Sequence, residues 1–248
     1  MIRNNRGLFI AGFLTLLISL IVHMPARFSV TWFAPDNLLA SGVSGTVWTG
    51  SASEASIYGV YLSDLKWRLK ASDLLTGRLS YRIEATTAGG ILASNLAASF
   101  SGELSMTELE ASLDLEPFAD LIGVPGMTGA VSLSFVRLEI VDELLTFADG
   151  TVDVSNLVVP ILGNESMGGF SAQFTTQNNG VVASVDEAAD GVIDIVEGIL
   201  RINADRSFAF ISQVKPNART PQRILQQLQY LPSGAEEGQK ELRLEGVL

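Results

Sequence analysis

With 248 residues and 47% hydrophobic content, the chain can bury one sizeable core or two small ones in series, so disorder is not its default state. The net charge of −11 understates an asymmetry: Arg3 and Arg6 open the chain, no acid precedes Asp36, and residues 25–248 carry 14 basic against 27 acidic side chains, −13. That balance repels phosphate backbones and anionic lipid surfaces, which sets nucleic-acid binding aside. The lack of cysteine removes disulfides, thiolate nucleophiles and sulfur-ligated zinc, without fixing a redox compartment.

Residues 1–6 form a short positive leader, and from Gly7 to Met24 no side chain carries a full charge. A helix of about 18 residues rises roughly 27 Å, close to the hydrocarbon thickness of a bilayer. A cleaved signal peptide has a shorter apolar region and a small-x-small cut site; the best cut would follow Ala26, but Met24 stands where a small residue is wanted. Residues 7–24 are therefore expected to be one uncleaved transmembrane helix. Arg3, Arg6 and the α-amino group outweigh Arg27, which predicts a cytoplasmic N-terminus and export of residues 25–248. Trp32 and Phe33 suit either an interfacial aromatic belt or the first core contact.

Beyond residue 40 the pattern is strict alternation, the period of a strand with one buried face. Leu65, Trp67 and Leu69 alternate with Lys66, Arg68 and Lys70; Leu79, Tyr81, Ile83 and Ala85 with Ser80, Arg82 and Glu84; and Leu109, Ala111, Leu113 and Leu115 with polar partners. Val131, Leu133 and Phe135 share one parity, Val136, Leu138 and Ile140 the other, which predicts a bulge near Phe135-Val136. Asn179-Gly180 predicts a tight hairpin after Phe170, Ala172 and Phe174. A second hairpin is expected from Ile199 to Val214 around residues 204–207, and Leu242 and Leu244 mark a last strand. The best helix begins at Thr220-Pro221-Gln222, with Thr220 as cap, Pro221 in the first turn and an apolar stripe of Ile224, Leu225, Leu228 and Leu231. Shorter helices are expected at Ser72–Leu75 and Pro117–Ile122. The fold class is thus all-β, mainly antiparallel, an extended curved or rolled sheet with few short helices, plus the N-terminal helix. A subdivision is conceivable only near residues 123–129, and a continuous sheet is preferred.

Catalytic constellations fail one by one. His23, the only histidine, ends the apolar segment, and without a second histidine or a cysteine the common triads are excluded. Asp186, Glu187, Asp190, Asp194 and Glu197 form the densest acidic stretch, but they lack the ordering of a calcium loop and read as a solvated face. Gly42-Val43-Ser44-Gly45 and Gly123–Gly129 lack the Lys-Ser/Thr ending of a phosphate loop. No catalytic, cofactor-binding or metal residue is assigned, and no cofactor.

Three motifs remain in order: Gly45-Thr46-Val47-Trp48-Thr49-Gly50-Ser51-Ala52, then Leu65-Lys66-Trp67-Arg68-Leu69, then Leu74-Leu75-Thr76-Gly77-Arg78-Leu79. In that order the chain resembles the type II secretion system protein N family, whose pattern is Gly-Thr-hydrophobic-Trp-x-Gly-x-Ala, a strand ending in Trp-x-Leu, and Leu-Leu-x-Gly-Arg-Leu. The C-terminal third is similar too, while residues 88–191 match only as β pattern. The resemblance implies a non-enzymatic accessory component of the type II secretion apparatus in the Gram-negative inner membrane. Its periplasmic domain would meet other subunits of that apparatus, with no nucleic acid and no small-molecule substrate. A weaker likeness to AsmA-type inner-membrane proteins keeps lipid handling open as the alternative. A hydrolase built on buried carboxylates and an outer-membrane barrel are more distant readings.

Overall fold

In a computed structural model, residues 5–27, 38–57, 59–99, 102–119, 124–177, 180–187 and 191–247 are described. Fourteen strands form one antiparallel sheet. They are β1 (Leu38–Ser41), β2 (Ser44–Gly45), β3 (Thr49–Ile57), β4 (Val60–Leu69), β5 (Arg78–Thr87), β6 (Gly90–Ser99), β7 (Leu104–Asp114), β8 (Thr128–Val141), β9 (Leu144–Val158), β10 (Phe170–Gln177), β11 (Gly180–Glu187), β12 (Ile193–Asn203), β13 (Ser207–Pro216) and β14 (Lys240–Val247). From β3 onward each strand pairs with its sequence neighbour, while β1 and β2 lie one after the other along β3, forming a single edge interrupted at Gly42-Val43. β7 pairs with β8 across the segment where a subdivision was conceivable.

Among the described residues three α-helices accompany the sheet. α1 is Asn5–Val22, α2 is Ala71–Leu74 and α3 is Gln222–Leu228. Phe13, Leu14, Leu16, Leu20 and Val22 of α1 are all exposed. Among the described residues no helix is long and apolar enough to cross a membrane. Trp32 and Phe33 lie outside the described residues.

The alternation seen in the sequence becomes one apolar face shared by all the long strands. Across it run Trp67, Ile83 and Leu96, then Ala111, Leu133, Val152 and Ala172, then Leu200 and Phe210. Side chains from distant strands gather into clusters, such as Phe135, Ala148 and Val181 with Leu109 and Ile202 packed around them. The opposite face carries the charges. The bulge falls where the parity change puts it: the β8–β9 register slips between Phe135 and Arg137, and Val136 is 69% exposed.

Two details of the expected turns and caps change. Gly180 is a strand residue paired with Gln177, and a Cβ on it would collide with the Ile202 carbonyl oxygen; Asn179 lies outside the described residues. Thr220 does not cap α3. Its hydroxyl donates to the Val192 carbonyl at 2.5 Å and accepts from the Asn217 N–H at 2.8 Å, and Pro221, with ψ 148°, takes the cap position. Buried Thr220 thus ties the approach to α3 onto the strand ladder, while Ile224 and Leu228 close over Val192 and Val214. At Pro117 only a 3₁₀ turn, Glu116–Phe118, is described; Asp120 to Gly123 fall outside the described residues.

Candidate functional site

The three sequence motifs converge at one corner of the sheet, where the segment after α1 joins it. Pro25 bridges Thr46 in antiparallel fashion, the Val47 N–H donates to the Met24 carbonyl at 3.1 Å, and Ala26 is only 1% exposed. Proline suits this place because an outermost bridge does not need its missing N–H. Trp67 on β4 fastens the corner, its Nε1 donating to the Thr46 carbonyl at 3.1 Å.

That ring explains one glycine of the first motif, and the adjoining backbone explains the other. A Cβ on Gly50 would collide with Trp67 Cζ2 and stand 2.6 Å from the Ser44 carbonyl oxygen. Gly45 holds φ +88°, and a Cβ there would lie 2.6 Å from the Thr49 carbonyl oxygen. Both positions require close backbone approach, and Gly45 also needs the left-handed region that only glycine enters without cost. Gly77 of the third motif, at φ +74°, ends the α2 turn. The Leu69 N–H donates to the Trp48 carbonyl at 2.7 Å and the Lys70 N–H to the Ser80 carbonyl at 2.9 Å, so the α2 turn is stitched to the same corner.

Residues weighed for chemistry are scattered. His23 Nδ1 sits 2.9 Å from the Ser19 carbonyl, a contact within its own helical turn. Asp194 accepts a 2.7 Å bond from the Asn217 amide, while Glu187 packs against Gly191, and Asp190 lies outside the described residues. Among the described residues no three His, Asp or Glu side chains converge to hold a metal ion. Gly42, at φ +63°, serves the break between β1 and β2.

The apolar face is covered by the protein's own side chains. Its strand residues are mostly buried or half-buried; its exposed large side chains among those described are Leu79, at the start of β5, and Leu244, in the middle of the edge strand β14. The remaining exposed apolar strand residues, Leu39, Tyr61, Ile91, Ile211 and Val247, face the other way, and Val136 and Val196 sit at register slips. The sequence did not reveal that Pro25 would take up a bridge; the one available signal was a proline directly after an apolar helix and before a strand-rich region.

An antiparallel meander of one sheet, with an N-terminal helix joined to it at one corner, defines an all-β protein class. The model of the type II secretion system protein N family matches residues 36–243, so the chain belongs to that family. A curated relative, the type II secretion system protein N of Vibrio cholerae serotype O1 (strain ATCC 39315 / El Tor Inaba N16961), is 25% identical over 246 residues, covering 94% of each chain. No solved structure matches. Membership gives the chain a role in type II secretion, as a component of that system, and implies interaction with its other subunits.

Proposed function

We propose that the chain is a non-enzymatic scaffold of the type II secretion system, working by position and surface. Residues 1–6 are its cytoplasmic leader, 7–24 its single crossing of the inner membrane, and 25–248 its periplasmic domain. The run without full charge from Gly7 to Met24, and the exposed apolar side chains around α1, support the anchor. The positive leader supports the orientation.

The observation that carries the scaffold reading is the covered apolar face. A protein that shields acyl chains needs a continuous open apolar trough, and here the strands fill that space with side chains such as Phe135, Val181 and Phe174. What remains for partners is the charged outer face and the edges at β1 and at Leu242–Val247 of β14, which have no further strand partner among the described residues and are suited to side-chain docking or strand addition. Deleting the gene should make secreted enzymes accumulate in the periplasm while outer-membrane lipid asymmetry stays intact. Normal secretion with disturbed asymmetry would overturn the reading in favour of lipid handling.

A further inference from the structure

The corner that receives α1 also carries a reversal of the chain's charge. Residues 65–82 hold five basic side chains, Lys66, Arg68, Lys70, Arg78 and Arg82, against the single acid Asp73, in a chain of net charge −11. Lys66, Arg68, Arg78 and Arg82 are exposed, and Arg68 stands directly opposite Arg82 across the β4–β5 ladder. Only Arg82 of the five is in a salt bridge among the described residues, with Glu84. Glu84, directly opposite Lys66, and Asp73, within electrostatic reach of Lys70 and Arg78, offset part of this charge. Arg68, however, has Thr49 on one side and Arg82 on the other, and facing two like charges across a ladder is unfavourable, so a net positive cluster remains for a partner of opposite sign.

Beside these charges the turn between β4 and β5 exposes two leucines, Leu74 at 44% and Leu75 at 92%. Leu79, which follows Arg78, is 39% exposed. Folding pressure does not account for a fully exposed leucine at a turn tip, and an apolar tip ringed by Lys and Arg is the pattern of an interfacial membrane contact. The turn lies at the end of the sheet from which α1 departs, one strand removed from the Pro25–Thr46 bridge and linked to it through Leu69, Trp48 and Trp67. The net negative charge of the rest of the domain does not cancel this local attraction, because charges more than about 8–10 Å away are screened at physiological salt.

We propose that residues 70–77 form a second membrane contact. Leu74 and Leu75 enter the headgroup layer while Lys66, Arg68, Lys70 and Arg78 engage anionic lipid phosphates, holding the sheet against the bilayer beside its anchor. This rests on the reading of residues 7–24 as a transmembrane helix, and the test keeps the two apart. The chain has no cysteine, so Leu75→Cys, Ile91→Cys and Leu16→Cys each offer one site for an environment-sensitive dye. Ile91, 60% exposed, lies at the opposite end of the strands.

The full chain is reconstituted in phosphatidylcholine vesicles with or without phosphatidylglycerol. The Leu75 dye should shift to the blue and be quenched by lipid-borne quenchers only when phosphatidylglycerol is present, and high salt should reverse the shift. The Ile91 dye should stay aqueous and the Leu16 dye should lie in lipid throughout. A Leu75 dye that stays aqueous in both vesicles while the Leu16 dye is in lipid overturns the proposal and leaves the anchor standing. Insertion independent of phosphatidylglycerol overturns the charge-directed contact, and shielding that needs other secretion subunits would mean a protein surface instead. An aqueous Leu16 dye overturns the anchor, and the proposal falls with it.

Discussion

The rings of Phe135 and Phe174 meet with centroids 5.6 Å apart and planes tilted by 55°, although they stand on β8 and β10 with β9 between them. What lets them meet is Gly150, the residue of β9 paired with both. A Cβ there would lie 2.7 Å from Phe135 Cδ1, so the ring occupies the space that the glycine leaves. The same device recurs where Trp67 covers Gly50 and Phe208 covers Gly246, each an aromatic residue directly opposite a strand glycine. An aromatic side chain laid over such a glycine restores the apolar cover that the missing side chain would forfeit.

Gly150→Ala should therefore act as overpacking rather than as a helpful stiffening of the backbone. It should cost about 1–3 kcal/mol. Thermal unfolding of the detergent-solubilised chain would show it as a lowered midpoint, and an unchanged midpoint would contradict the account.

Phe135 and Val136 are neighbours with opposite fates, 5% and 69% exposed. Phe135→Ala should cost about 3–5 kcal/mol by emptying the centre of its cluster. Val136→Ala, on the outside of the bulge, should stay within about 0.5 kcal/mol of wild type. Denaturant titrations of the two variants side by side would check the pair.

Trp67→Phe keeps a ring over Gly50 and deletes the bond to the Thr46 carbonyl. The loss should be about 1 kcal/mol, and it should fall first on the corner that holds Pro25. Hydrogen exchange at Val47, whose N–H bonds to Met24, should quicken while exchange at Phe174 stays slow.

Asp205 in the β12–β13 turn accepts bonds from the Ser207 hydroxyl at 2.5 Å and the Ser207 N–H at 3.0 Å. Together these hold its carboxyl below the ordinary value, the hydroxyl first and the backbone N–H second. A carboxyl lowered by folding adds stability above its unfolded pKa and loses it as pH falls through the lower folded value. Ser207→Ala should raise the Asp205 titration midpoint toward that of an exposed aspartate, as followed by carboxyl carbon shifts. A midpoint that does not move would contradict this.

Strands were legible in the sequence because burial on one face imposes a period of two, and even the Phe135-Val136 slip left its mark as a change of parity. Two further slips leave the same mark: Asp64 and Glu108, both at φ 51°, stand where the apolar parity passes from Val60 and Leu62 to Leu65 and Trp67, and from Leu104 and Met106 to Leu109 and Ala111. Glu108 accepts from the buried Asn95 amide at 2.8 Å, a contact between residues 13 apart that no local pattern announces. Thr220 fitted the chemistry of a helix cap, and a carbonyl contributed by Val192 drew it elsewhere. At the corner, the motif glycines read as places of close approach and turns, and Gly50 is small because a ring from the next strand needs its volume.

The order of strands in the sheet follows the order of residues in the chain, so each new strand closes onto one made just before it. A polypeptide that emerges N-terminus first can extend such a ladder step by step, and most closures span a short loop, the longest connection being residues 217–239 with α3 between β13 and β14. Assembly of this kind has a direction: it starts at the corner with Trp67 and finishes at β14. On the outer side of β14 the Glu241 N–H already donates to the Pro232 carbonyl at 3.0 Å beside the Ser233–Lys240 bridge, so Leu242–Val247 is the stretch of that margin which, among the described residues, has no strand beyond it and can receive a newcomer.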